Sequence, residues 1–175
     1  MRITISGPPG SGTTSLARFL AEKHGYRVIS AGEVFRTLAK ERDMDLAEFG
    51  ILAETDPAVD KLIDERQKEI GESNDDIIIE GRLAGHMVTN ADLRIWVSAS
   101  LLCRAVRISQ REGIDEDLAR EQTAERDACE AVRYAKYYDI NISDLSAYDL
   151  VISSEKWGRE ELGNVVDLAV RSIRS

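Results

Sequence analysis

Cysteine, histidine and proline are scarce in this chain: two, two and three residues among 175. Cys103 and Cys129 are not in CxxC spacing, and His24 and His86 are equally scattered. That leaves no set of about four paired ligands for structural zinc, and it predicts two free thiols in a reducing compartment rather than a disulfide. Long apolar runs are missing too. Ile77-Ile78-Ile79 is typical, whereas a membrane helix takes roughly 20 apolar residues. The opening residues MRITISG lack an apolar stretch of the about 7–15 residues a signal peptide needs, so none is expected and a cytoplasmic location is. Positive charge is short: the net charge is −9. A partner that needs a basic face, nucleic acid or membrane surface, is therefore not expected. A small anionic ligand held by a local cluster remains open.

What is present is an ordinary globular balance, 43% hydrophobic and 31% charged. A chain of 175 residues suits one domain able to bury a core. Its cations are lopsided, with 17 arginines against six lysines, and six of those arginines fall between Arg104 and Arg133. Arginine's planar fork suits phosphate.

Periodicity predicts strands at 2–6, 26–30, 77–80, 93–98 and 149–153. Helices are expected at 15–23, 31–42, 101–112, 115–138 and 160–173, with further helices across 46–70 and Pro57 in a first turn. Alternating strands and helices predict an α/β fold with a five-stranded parallel sheet covered on both faces. Segments 37–72 and 114–140 are too polar for a core and read as mobile insertions on it.

Four patterns carry chemistry. Gly7-Pro8-Pro9-Gly10-Ser11-Gly12-Thr13-Thr14 follows a strand and opens a helix. Glycines there let backbone N–H groups turn inward toward phosphate, and the helix N-terminus adds partial positive charge. Thr14 holds the hydroxyl position for Mg²⁺, but the pattern's lysine is replaced by Thr13. Ser30 to Arg36, SAGEVFR, offers Phe35 to a base and Arg36 to a phosphate, with core packing as the competing reading of Phe35. In IIIEGR, an apolar strand delivers Glu80, Gly81 and Arg82 to the sheet's carboxyl edge, where ligands bind, with a surface salt bridge as the competing reading. Arg126, Glu130 and Arg133, spaced i, i+4, i+7, share one helix face, and Arg104 and Arg107 form a similar pair. Ion pairing along exposed helices is the alternative for both.

Taken in order, these segments resemble cytidylate kinases of the archaeal type over nearly the whole chain. GPPGSGTT looks like that family's phosphate loop, SAGEVFR its substrate-side element, EGRLAG its DGRD-type element, and RAVR and RDACEAVR its lid arginines and arginine–acid–arginine triplet. The resemblance implies a P-loop nucleoside-monophosphate-kinase fold, a single domain over 1–175. Within it, 37–72 would be a substrate-binding helical insertion and 114–140 the lid region. It implies phosphoryl transfer from ATP to CMP or dCMP with Mg²⁺, by a monomer. Gly7 to Ser15 would cradle ATP, and Thr14 would ligate Mg²⁺ with Glu80 behind it. Ser30, Gly32, Phe35, Arg36, Gly81, Arg82, Arg126, Glu130 and Arg133 would hold the acceptor. Thr13, Thr14, Arg104, Arg107 and Arg126 would serve catalysis, Arg104 and Arg107 from the lid side. A kinase for AMP, UMP or shikimate, or a nucleotide-binding module without activity, are the alternatives.

Overall fold

The computed structural model describes residues 1–173. Five strands form one parallel sheet: β1 (Arg2–Ser6), β2 (Arg27–Ser30), β3 (Ile77–Glu80), β4 (Leu93–Ser98) and β5 (Leu150–Ser153). They lie in the order β2-β3-β1-β4-β5. The helices are α1 (Thr13–His24), α2 (Ala31–Glu41), α3 (Leu46–Thr55), α4 (Pro57–Ser73), the short α5 (Ala84–Met87), α6 (Leu101–Glu112), α7 (Glu116–Tyr138) and α8 (Arg159–Ser172). Each of these agrees with the sequence reading to within two residues, except α4, which runs three residues past the expected end at 70, and α5, whose four residues are too few to show a period.

Alternation along the strands sorts side chains between two cores. Ile78 joins Ile3, Ile5, Ile95 and Val97 on the face covered by Leu16 and Leu20 of α1 and Val166 and Val170 of α8. Its neighbours Ile77 and Ile79 point the other way, toward Val34, Leu38, Phe49, Val59 and Ile63. The segment 37–72 is thus less detached than its polarity suggests. Leu38, Ala39, Phe49, Val59 and Ile63 are buried against the sheet, because one apolar stripe suffices to dock a helix that is otherwise charged. Ala119 and Tyr134 dock α7 in the same way.

Local signals set the ends of these helices. Ser30, Asp45 and Asp56 accept backbone N–H bonds as N-caps of α2, α3 and α4, the second as a full capping box with Glu48. Gly113 closes α6 in the left-handed conformation. A buried seam joins α1 to α8. Asp167, 1% exposed, receives Lys23 at 2.9 Å, His24 at 2.8 Å and Arg171 at 3.0 Å.

Register brings three loops together. Ile5 of β1 and Ser30 of β2 both lie opposite Glu80 of β3. The turn after β1, the start of α2 and the Glu80–Arg82 segment therefore emerge side by side at the carboxyl edge.

Candidate active site

The turn after β1 has the backbone geometry that a phosphate cradle requires. Gly10 and Gly12 sit at φ 82° and 101°, a region closed to most side chains. A Cβ on Gly10 would also meet the Arg104 carbonyl at 3.0 Å. Gly12 caps α1 without any side-chain bond and with no acidic residue in the first turn. The first N–H groups of α1 are left as donors with a positive helix end behind them.

Thr13 stands where the lysine of such loops stands, and its hydroxyl donates to Glu80 Oε1 at 2.7 Å. Burial raises the Glu80 carboxyl above its ordinary range, and hydroxyl bonds from Thr13 and Thr14 oppose that rise. Gln67, 4% exposed, donates its amide to the Glu80 carbonyl at 3.0 Å, pinning α4 to the end of β3. A Cβ on Gly81 would come within 2.9 Å of the Gln67 side chain, so glycine is what lets the helix approach.

A cleft of about 430 Å³ opens above this edge. Its lining includes Gly7, Pro8, Pro9, Gly10, Thr13 and Thr14, with Ser30, Gly32, Glu80 and Gly81. Arg82, Arg126, Glu130 and Arg133 line the same cleft. The face shared by Arg126, Glu130 and Arg133 on α7 thus points into the cleft. Glu130 accepts from Arg82 at 2.9 Å and from Arg126 at 2.9 Å. Arg133 pairs with Asp60 of α4, and the Arg82 guanidinium lies 5.4 Å from the Trp96 ring centroid. Among the described residues, Arg82 Nη1 and Arg133 Nε are buried without an acceptor. Orphaned donors of this kind call for one, and an anion in the cleft would supply it.

Several expected residues lie elsewhere. Arg104 is 5% exposed and holds Asp127 at 2.6 Å, the Pro9 carbonyl at 3.3 Å and the Ala99 carbonyl at 3.2 Å. Arg107 donates to the carbonyls of Gly10, Ser11 and Ser154 and to the Ser154 hydroxyl at 2.8 Å. Both guanidiniums brace the outer side of the loop instead of reaching across the cleft. The physical reason is that α6 packs directly beside the loop, whose outward carbonyls need donors. Ser11, Gly12, Ser15 and Arg107 line a separate pocket of about 200 Å³ with Trp157 and Gly158. Phe35 packs on Phe49, ring centroids 4.8 Å apart, as a core residue. Arg36 is exposed, with Nη1 3.6 Å from where a Gly32 Cβ would sit.

The sequence reading missed Ala31, Asp60, Ile63, Asp64, Gln67, Arg111 and Tyr134, all of which line the cleft. A signal was there for three of them. Asp60, Asp64 and Gln67 follow the same i, i+4, i+7 spacing as the α7 triplet. Arg111 sits at the end of α6, 62% exposed, and among the described residues it pairs only with its neighbour Glu112.

A glycine loop at a strand–helix junction, sharing a cleft with arginines at the carboxyl edge of a parallel sheet, defines a P-loop kinase fold. Solved structures agree on that fold. Shikimate kinase from Bacteroides thetaiotaomicron superposes with a TM-score of 0.66 at 12% identity, covering 98% of each chain. The model of the cytidylate kinase-like family matches residues 2–156. The chain is 64% identical over 173 residues to a cytidylate kinase of Methanocorpusculum labreanum, covering 99% of this chain and 98% of that one. It is 66% identical over 173 residues to the cytidylate kinase of Methanoculleus marisnigri, covering 99% and 96%. The chain belongs to the cytidylate kinase-like family. No helix among the described residues is long and apolar enough to cross a membrane.

Proposed function

We propose that the chain transfers the γ-phosphoryl group of ATP to CMP or dCMP, giving ADP and CDP or dCDP. The observation that carries this reading is the cleft itself, where the glycine loop and Arg82, Arg126 and Arg133 line one cavity of about 430 Å³. Full-length relatives named cytidylate kinase support the choice of acceptor.

The attacking oxygen belongs to a phosphate already ionised at neutral pH, so no strong general base is needed. The work is positioning and neutralising charge. The loop from Gly7 to Ser15 holds the donor phosphates through its backbone N–H groups, which Pro8 and Pro9 lack. The pocket beside Trp157 and Arg107 continues from that loop and offers room for the donor's nucleoside. Arg82, Arg126 and Arg133 hold the acceptor phosphate, with Arg36 at the rim. Glu130 keeps lone pairs beyond its two arginines for ribose hydroxyls. Segment 37–72 supplies the acceptor wall through α4, and 114–140 supplies the lid side through α7. Arg111, exposed at the end of α6, takes the catalytic role from the lid side that the resemblance implies for Arg104 and Arg107, which hold the loop in shape.

Mg²⁺ is the cofactor this reading implies, and the donor set suits it. The Thr14 hydroxyl and the Glu80 carboxylate are hard oxygens beside the cradle, and Mg²⁺ is usually held by one or two protein oxygens together with substrate phosphates. Bound there, it supplies charge neutralisation on the transferring phosphates.

The test is ADP release in a coupled assay with CMP, dCMP, UMP and AMP. CMP and dCMP are expected to turn over well and AMP poorly. Faster turnover with AMP than with CMP overturns the reading.

A further inference from the structure

Four carboxylates line the cleft: Asp60, Asp64, Glu80 and Glu130. Three have evident partners. Asp60 faces Arg133, Glu130 is shared by Arg82 and Arg126, and Glu80 receives the hydroxyls of the loop. Asp64 differs. Among the described residues no cation lies within ion-pair distance of it. Its Oδ2 accepts from the Tyr138 hydroxyl at 2.8 Å, and Oδ1 has no hydrogen-bond partner there. Asp64 stands on α4 between buried Ile63 and the anchored Gln67, with Tyr134 in the same cavity. The wall therefore offers apolar surface next to one unused acceptor oxygen.

An acceptor oxygen reads one feature of a pyrimidine. Cytosine presents an amine at its exocyclic position, and uracil presents a carbonyl oxygen in the same place. We propose that Asp64 selects the base of the acceptor nucleotide: the oxygen left free by Tyr138 accepts from the exocyclic amine of cytosine and turns away the carbonyl of uracil. This rests on the reading that a nucleoside monophosphate is the acceptor. Tyr138 is a positioning residue that occupies one oxygen and leaves the other as an acceptor. Burial raises its hydroxyl pKa, so it remains a donor at working pH.

The charged groups around Asp64 are Asp60 and Glu65 on its own helix and Arg133 on α7. Burial first, then Asp60 and Glu65, push its carboxyl up to about 6, against the pull of Tyr138 and Arg133. At neutral pH the group is mostly an ionised acceptor. Once protonated it can donate to a uracil carbonyl, and the discrimination shrinks.

The experiment measures kcat/KM for CMP and for UMP above and below that pKa, in the wild type and in Asp64→Asn. The acceptor phosphate titrates in the same range, but both substrates carry it, so it cancels in the CMP/UMP ratio. The wild type is expected to favour CMP at neutral pH and to lose preference on the acid side. Asp64→Asn, whose amide can turn a donor toward the carbonyl, is expected to lower the neutral ratio by about tenfold or more, mainly through KM, and to flatten its pH dependence. An unchanged ratio, both substrates losing equally, overturns the proposal, as does a wild type that does not discriminate. Tyr138→Phe is the second variant. Removing the hydroxyl raises the Asp64 pKa, so the loss of preference should move to higher pH, and no movement counts against the proposal. Turnover of AMP faster than CMP would sink the functional reading instead. A CMP-active enzyme with an unaltered ratio in Asp64→Asn sinks only this inference.

Discussion

Thr13 donates its hydroxyl to Glu80 Oε1 at 2.7 Å, so the position that carries the lysine of a phosphate loop is tied here to the end of β3. The loop thereby exchanges a point charge on the nucleotide for a link from the start of α1 to the end of β3. Glu80 bears a charge that burial disfavours and that Thr13 and Thr14 help to hold.

Thr13→Val removes one of those donors. The Glu80 carboxyl should rise further, and the acid limb of the pH–rate profile should move to higher pH. Removing a hydrogen bond to a charged group costs about 1.5–3 kcal/mol. A carboxyl with a raised pKa favours the folded state at low pH and loses that contribution as pH rises through the folded pKa. The variant should therefore lose stability on the neutral side. An acid limb that does not move would show that Thr13 does not govern Glu80.

Arg107 and Arg111 share a helix and should separate cleanly. Arg107→Ala leaves the carbonyls of Gly10 and Ser11 and the Ser154 hydroxyl without their donor, so thermal denaturation should report a loss of about 2–4 kcal/mol. Arg111→Ala, on an exposed side chain, should leave the melting point within about 0.5 kcal/mol of wild type. Its kcat should fall on the order of a hundredfold, the scale of a lost transition-state charge contact. Because Arg107 braces the loop from outside, Thr13→Lys and Arg107→Ala should add to within about 0.5 kcal/mol. A coupling well above that would mean that the two positions share a role.

Arg133→Ala tests the acceptor clamp. If Arg133 grips the nucleotide, kcat/KM for CMP should fall by about 2–5 kcal/mol. The melting point should hardly change, since its partner Asp60 is about one-third exposed and such pairs contribute about 0–1 kcal/mol. Wild-type activity with a lowered melting point would make the pair structural.

Asp167 governs acid stability at the α1–α8 seam. Lys23 first, then Arg171 and His24, hold its carboxyl down at about 2. A depressed carboxyl contributes stability above its unfolded pKa and loses it as pH falls through the folded value, so the seam should weaken between about pH 4 and pH 2. Asp167→Asn should cost about 2 kcal/mol at neutral pH. That is less than for a sealed pair, because Lys23 and Arg171 reach solvent. Acid titration of the melting point checks it: an equally steep fall in the variant would assign the acid limb to other groups.

The strand and helix pattern was legible in the sequence because it is carried by short-range rules. Apolar alternation in Ile77–Ile79, the helical stripe in α1 and the Gly113 stop each depend on a few neighbouring residues. So does the glycine loop, whose backbone shape follows from Gly10 and Gly12. The α7 triplet was legible for the same reason, since helical spacing alone puts Arg126, Glu130 and Arg133 on one face. Which side of a helix meets the cleft is another matter. Arg104 and Arg107 have the same local pattern as cleft arginines, yet the packing of α6 beside the loop turns them to its carbonyls and leaves Arg111 exposed at the cleft. Asp60, Asp64 and Gln67 look like ordinary solvated positions until Leu38, Phe49, Val59 and Ile63 dock the insertion and swing α4 over the end of β3. Periodicity along one helix determines which residues travel together. The partner they meet is a contact between segments tens of residues apart, and it exists only once the sheet order β2-β3-β1 has set the loops side by side.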